Sequence, residues 1–418
     1  MNDSVRNYLI VTASYWGFTL TDGALRMLVL FHFFTLGYSP FTLAFLFLLY
    51  EFAGILANLC GGWLAVRFGI PRMLATGQIL QILGLLMLTL LEPHWGAVMS
   101  VAWVVLAQGV AGLAKDFTKT ASKSAIKATA DQSSGQLFRW VAWFTGSKNA
   151  MKGIGFFIGG LLLDAFGFGA ALWSLAVLIA LILVAGIVLL PRELGKASAS
   201  KSIRELFSKS RGVNLLALAR IFLFGARDVW FVVGLPVFLY SAGWSFVQAG
   251  GFLAAWTIAY GGIQAVAPRV IRRSEDGLSS EVPAARGWSL VLVCIPLLLA
   301  IALALPGLPR ADLLVVVALT LFGLPFAVNS SLHSYLILAY AGSKKVAEDV
   351  GFYYAANAAG RLIGIVLSGL LYQLGGLIAC LLGSAVMLAG CWLITLLLPG
   401  SAERSSSGLD HRPRHSTT

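Results

Sequence analysis

The chain has 418 residues, 58% of them hydrophobic and only 11% charged, with a formal net charge of +12. Soluble domains carry roughly 25% charged residues. This composition, with a mean hydropathy of +0.85, therefore excludes a soluble domain and implies an all-α integral membrane protein. The basic excess gathers in alternate loops, a pattern that reports membrane topology and argues against a nucleic-acid partner.

In chain order, twelve apolar stretches reach the ~20 residues that a bilayer crossing needs. They are 8–36, 41–66, 73–91, 97–118, 137–163, 169–190, 213–240, 245–268, 287–306, 312–341, 347–373 and 376–398. The first is too long for a signal-peptide core and lacks a small-residue cleavage site, so a retained helix is expected. Turn signals separate the stretches: Gly37-Tyr38-Ser39-Pro40, Glu92-Pro93, Gly167-Phe168-Gly169, Pro306-Gly307-Leu308-Pro309 and Gly375-Gly376.

Lys and Arg occupy one set of loops: Arg67 and Arg72, then Lys119, Lys123 and Lys127, then Arg192 to Arg211. The set continues with Arg269, Arg272, Arg273 and Arg286, then Lys344 and Lys345, and ends with Arg404, Arg412 and Arg414. The alternate loops hold Arg310 and almost nothing else, which predicts cytoplasmic termini. An N-terminal six-helix bundle is expected over 1–190 and a C-terminal one over 213–398. A basic, Ser-rich cytoplasmic linker over 191–212 divides them, and the 399–418 tail reads as disordered and cytoplasmic.

The halves resemble each other. A shift of 206 residues sets Phe18 on Phe224, Asp22 on Asp228, Gly37 on Gly243, Tyr38 on Trp244 and Ser39 on Ser245. Two parallel six-helix repeats around a midplane site describe the major facilitator fold. The four cysteines, Cys60, Cys294, Cys380 and Cys391, fall in apolar spans as small buried hydrophobes. They suggest neither a disulfide framework nor a metal site, and no cofactor motif accompanies them.

Six basic residues lie inside apolar spans: Arg26, Lys148, Lys152, Arg220, Arg227 and Arg361. Each costs ~2.5–3.5 kcal/mol at the membrane centre on insertion scales. Three acids, Asp22, Glu51 and Asp228, lie at comparable depth, so the excess cations need water or a bound anion. A transporter with an anion-binding cavity follows.

Several spacings assign roles. Asp22 and Arg26 are four apart and can pair, either as bundle glue or as an anion-binding arginine with a responsive acid. Lys148 and Lys152 repeat that spacing without an acid, which favours an aqueous cavity or an anionic ligand over snorkelling. Arg220 and Arg227 lie two turns apart, and their guanidinium forks suit oxyanions; Asp228 points elsewhere and is free to bridge a neighbouring helix. Tyr353, Asn357 and Arg361 form an i, i+4, i+8 stripe for the polar end of a ligand. Asn329 and His333 are a similar pair, His333 reading either as a helix-packing residue or as a proton relay. Glu51 is a proton site or the partner of a basic residue. Lys115 beside Asp116 sits where it attracts anions toward the cavity.

The segment Gly62-Trp63-Leu64-Ala65-Val66-Arg67-Phe68-Gly69-Ile70-Pro71-Arg72 resembles the major facilitator loop signature, with Val66 at its acidic position. The run Gly155-Phe156-Phe157-Ile158-Gly159-Gly160 is similar to the antiporter motif, with Gly160 at its proline. Longer strings, Tyr15 to Arg26, Tyr50-Glu51-Phe52, Ala114-Lys115-Asp116, Thr145 to Gly153 and Phe224 to Trp230, resemble the organoarsenical efflux permease family ArsJ. That resemblance implies export of arsenylated phosphoglycerate (1-arseno-3-phosphoglycerate) across a bacterial inner membrane, with arsenate resistance as the outcome. It also implies a functional link to glyceraldehyde-3-phosphate dehydrogenase, which makes the ester. A monomer without cofactor or catalytic residues is expected. An exchanger of phosphate esters is the alternative, followed by a polytopic membrane enzyme, which the scattered histidines and the absence of a carboxylate cluster disfavour.

Overall fold

The computed structural model describes residues 3–57, 69–129, 136–191, 209–271, 274, 276–307, 310–341 and 346–400. Among these residues the only regular structure is helical. A bilayer offers the backbone no water to bond, so each crossing must satisfy its own N–H and C=O groups.

The helices are α1 (Asp3–Thr35), α2 (Pro40–Leu46), α3 over 48–57, α4 (Ile70–Thr89), α5 (Ala97–Thr129) and α6 (Gln136–Leu189). They continue with α7 (Arg211–Phe231), α8 (Gly234–Ser241), α9 (Phe246–Val270), α10 (Glu281–Ala304), α11 (Ala311–Tyr340) and α12 (Val346–Leu396). At 1.5 Å per residue, the 54 residues of α6 and 51 of α12 are far longer than a ~30 Å hydrocarbon core requires. Each folds back once, at Gly167 (φ 75°) and at Gly375-Gly376, as the turn signals there predict. Nine stretches among the described residues are apolar enough to cross a bilayer, and two of them are these double crossings. With α1, whose Asp22 and Arg26 lower its hydropathy, twelve crossings result.

The 206-residue repeat has a structural counterpart. Gly37 and Gly243 both take left-handed backbone, φ 84° and 91°. Ser39 and Ser245 then cap the next helices, accepting from the Thr42 N–H at 3.2 Å and the Gln248 N–H at 3.1 Å. The two halves meet where α6 packs on α9 and where α2 packs on α12. At the first seam, a Cβ on Gly250 falls 2.8 Å from the Phe156 carbonyl oxygen, so only glycine permits that approach.

Three differences from the sequence reading have physical causes. α5 runs to Thr129, beyond the apolar boundary at 118, because its lysine-bearing end continues as helix outside the apolar stretch. α10 begins at Glu281, ahead of 287, because Pro283 opens its first turn and the charged Glu281 and Arg286 interrupt the apolar run there. Cys294 is exposed on α10, contrary to the expected burial, whereas Cys380 and Cys391 are buried. Its phase on the helix turns it away from neighbouring helices. Cys60, most of the 191–212 linker, the 401–418 tail and the loop segment 62–68 lie outside the described residues.

Candidate functional site

A cavity of about 240 Å³ lies between the halves, lined by α1, α3, α5 and α6 on one side and α7, α9, α11 and α12 on the other. Among the described residues, eight basic and four acidic side chains reach it. On α1 the lining runs from Tyr15 to Arg26, so the cavity extends from mid-helix toward the face that carries both chain ends. Toward the opposite face, Phe31 of α1 packs on Phe246 of α9 at 5.0 Å, and Phe246 stacks on Tyr240 at 4.8 Å.

Glycines position the lysine arm. A Cβ on Gly23 falls 2.7 Å from the Lys152 carbonyl oxygen, so α1 and α6 meet backbone to backbone there. Lys152 is thereby delivered beside the charged face of α1.

Glu51 is the hub of the ionic network. Its Oε1 accepts from Arg26 Nη2 at 2.6 Å and from Arg361 Nη2 at 2.5 Å, and Lys115 Nζ stands 3.8 Å from its Oε2. Arg361 also donates through Nε to Asp228 Oδ2 at 3.2 Å, so one guanidinium ties α3 to α7 from α12. The other oxygen of Asp228 is taken by Arg227, at 2.7 Å from Nε and 2.5 Å from Nη2. Asp116 pairs with Lys115 at 3.8 Å and Lys119 at 3.3 Å.

Arg220 is held differently. Its Nε donates to Asn357 Oδ1 at 3.2 Å and its Nη1 to the Ser330 carbonyl at 3.0 Å. Its plane lies over Phe224 at 4.0 Å and near Tyr353 at 4.9 Å. Lys152 packs over Phe156 at 5.6 Å. Aromatic faces attract these cations without consuming their hydrogen-bond donors.

The structure brings Arg26, Lys148, Lys152, Arg220, Arg227, Asn357 and Arg361 to one cavity, together with Asp22, Glu51 and Asp228. Tyr353 and His333 are not among its lining. Steps of four residues drift by ~40° each on a helix of 3.6 residues per turn, which carries Tyr353 about 80° from Arg361. Tyr354, seven positions before Arg361, is closer in phase and lines the cavity instead. His333 is fully buried beside Asn329, whose Nδ2 donates to Ser289 of α10 at 3.0 Å. The cavity-facing residue of α11 is Ser334, one position round the helix.

The expected Asp22–Arg26 pair does not form. Asp22 accepts from the Tyr50 hydroxyl at 2.6 Å, while the longer Arg26 reaches Glu51 on α3. Asp228 bridges to a neighbouring helix as its direction suggests, but it also pairs with Arg227, whose flexible stem curls back.

Sequence reasoning missed the α9 wall. Trp256, Tyr260 and Gln264 all line the cavity at four-residue spacing. Trp256 Nε1 is anchored on the Leu319 carbonyl at 2.7 Å, and Gln264 Oε1 accepts from Asn149 of α6 at 3.1 Å. The i, i+4, i+8 periodicity of these aromatic and amide groups was the available signal.

Comparison with known proteins agrees with this architecture. A family profile described as Major Facilitator Superfamily matches residues 8–328. No curated protein sequence matches the chain. One similar solved structure comes from work on substrate recognition in proton dependent oligopeptide transporters. It is 13% identical with a TM-score of 0.69, covering 94% of this chain and 98% of that one. Another, a mutant of the nucleoside transporter NupG, is 15% identical with a TM-score of 0.70, covering 95% and 99%. At such identities the likeness is one of fold. Over the greater part of its length the sequence carries the family's pattern, and the chain belongs to the Major Facilitator Superfamily.

Proposed function

We propose that this transporter exports an organic arsenate ester, 1-arseno-3-phosphoglycerate, by alternating access, and thereby confers resistance to arsenate. The observation that carries the anion reading is the charge of the cavity: eight basic side chains against four acidic ones in a space of about 240 Å³. Low dielectric makes such an excess costly until an anion joins it. A neutral or cationic substrate leaves that cost standing. The identity of the ester rests on the resemblance of the motif strings to organoarsenical efflux permeases, and guanidinium forks suit arsenate as well as phosphate oxygens.

In this reading 1–190 and 213–398 are the two moving halves, and the basic loops place the chain ends in the cytoplasm of a bacterial inner membrane. The protein acts as a monomer, supplied with substrate by glyceraldehyde-3-phosphate dehydrogenase using arsenate. Asp22, Glu51 and Asp228 balance the cationic groups between half-cycles, and proton antiport runs through Asp22, which holds a tyrosine rather than a cation. A second reading, exchange of phosphate esters, is favoured by the Glu51 hub, because a carboxylate shared by two arginines is a stand-in that any oxyanion can replace.

Expression in an arsenic-sensitive host tests the assignment. Cells gain tolerance to arsenate and none to arsenite, and the gain disappears when glyceraldehyde-3-phosphate dehydrogenase is inactive. Equal protection against arsenite, or protection independent of that enzyme, removes the ester as substrate.

A further inference from the structure

Seven of the eight cations that line the cavity among the described residues fall into two kinds. Arg26, Lys115 and Arg361 share Glu51; Arg227 and Arg361 share Asp228; Lys119 stands on Asp116. Among the described residues, Arg220 and Lys152 take part in no ion pair. They belong to opposite halves, α7 and α6, and each rests on an aromatic ring.

Arg220 has donors to spare. A guanidinium carries five N–H bonds; one goes to Asn357 and one to the Ser330 carbonyl. Both contacts are neutral, so they fix the plane of the group without cancelling its charge. Only 4% of Arg220 is exposed, and that exposure opens on the cavity. A cation held so deep without a counter-ion carries a large desolvation cost until an anion arrives. Among the described residues, Lys152 has its contact with the Phe156 ring and no salt bridge. Its three ammonium donors are available.

We propose that Arg220 and Lys152 are the residues that select the ligand, one from each half, and that they select small molecules with an anionic group at each end. The ion-paired arginines Arg26, Arg227 and Arg361 set the field and the shape of the cavity, with their forks held by the protein's own carboxylates. The inference rests on the anion-transport reading and narrows it: single-ended oxyanions engage one prong and bind weakly, whereas two-ended ones bridge the halves.

Binding to the purified protein in lipid nanodiscs, measured by calorimetry, tests this. The probes are α,ω-alkane bisphosphonates of increasing chain length against the matching alkyl monophosphonates. The wild type prefers the best-fitting bisphosphonate by roughly ten- to a hundredfold, the worth of one further charge-assisted contact. Arg220→Met and Lys152→Met each reduce that preference to near unity, and Lys152→Arg restores part of it. Where Arg220→Met does not accumulate, Arg220→Lys keeps the charge, loses the fork, and shows an intermediate preference. Equal binding of both probe classes by the wild type, or full preference in either Met variant, overturns the assignment. Failure to move the arsenate ester in vesicles while the bisphosphonate preference persists removes the ester and leaves the two-pronged site standing.

Discussion

Replacing Glu51 by Gln isolates the energetic role of the ionic hub. Glu51 lies 2.6 Å from one guanidinium, 2.5 Å from a second and 3.8 Å from an ammonium, and its side chain is 1% exposed. Gln keeps the shape and one acceptor oxygen but removes the charge. Arg361 keeps Asp228 at 3.2 Å and Lys115 keeps Asp116 at 3.8 Å, so both remain partly compensated. Arg26 is left with a neutral amide oxygen and its contacts with the Phe47 and Tyr50 rings. Breaking a buried pair by removing one partner costs ~3–5 kcal/mol. Because the cavity admits water, the lower end, about 3 kcal/mol, is expected for the ligand-free protein. The same substitution leaves two guanidiniums open to an external oxyanion, which no longer has to displace a tethered carboxylate. Thermal unfolding in detergent, followed with and without inorganic phosphate, reads both effects. Glu51→Gln unfolds several degrees below wild type without phosphate, and phosphate raises its midpoint more than it raises that of the wild type. Equal midpoints in the absence of phosphate, together with an unchanged response to it, refute the hub.

Further outcomes follow from individual contacts. Asp22→Asn preserves the Tyr50 hydrogen bond but removes a carboxylate that forms no salt bridge among the described residues; export loses most of its pH dependence while anion binding changes little, and an unchanged flux profile leaves proton antiport without this site. Arg227→Lys keeps a charge near Asp228 but loses a two-nitrogen contact, so export falls only in part, whereas Arg227→Ala abolishes it; wild-type flux from the Ala variant at normal membrane levels contradicts a role in the cavity. Gly250→Leu drives a side chain against the Phe156 backbone at the α6–α9 seam, at ~1–3 kcal/mol of overpacking. Transport falls while helicity and membrane insertion stay normal, and unimpaired transport shows that the seam tolerates separation.

The crossings, the turns and the depth of the basic residues were legible because each is a local property. A run of ~20 apolar residues or a Gly-Gly break needs no knowledge of neighbours. The 206-residue repeat carried real geometry, since Gly37 and Gly243 share left-handed backbone and Ser39 and Ser245 share a capping role. Pairing across helices was not legible. Asp22 and Arg26 share a helix face, yet the choice between each other and the third-helix residues Tyr50 and Glu51 is made by tertiary packing. Phase drift misplaced Tyr353 by most of a quarter turn, and one position round α11 separates buried His333 from cavity-lining Ser334. The sorting of cations into paired and unpaired also needed the fold: Arg227 curls back onto its neighbour Asp228 on α7, whereas Arg220 meets the neutral Ser330 carbonyl of α11 and Asn357 of α12.

The account stands most directly on flux of the proposed substrate. Everted membrane vesicles containing the transporter, supplied with enzymatically generated 1-arseno-3-phosphoglycerate, are expected to accumulate arsenic faster than vesicles lacking it. Accumulation is expected to quicken when the vesicle interior is acid and to fall to background in the Arg220→Met variant. Uptake no faster than in vesicles without the protein, with the ester intact outside, contradicts the central claim.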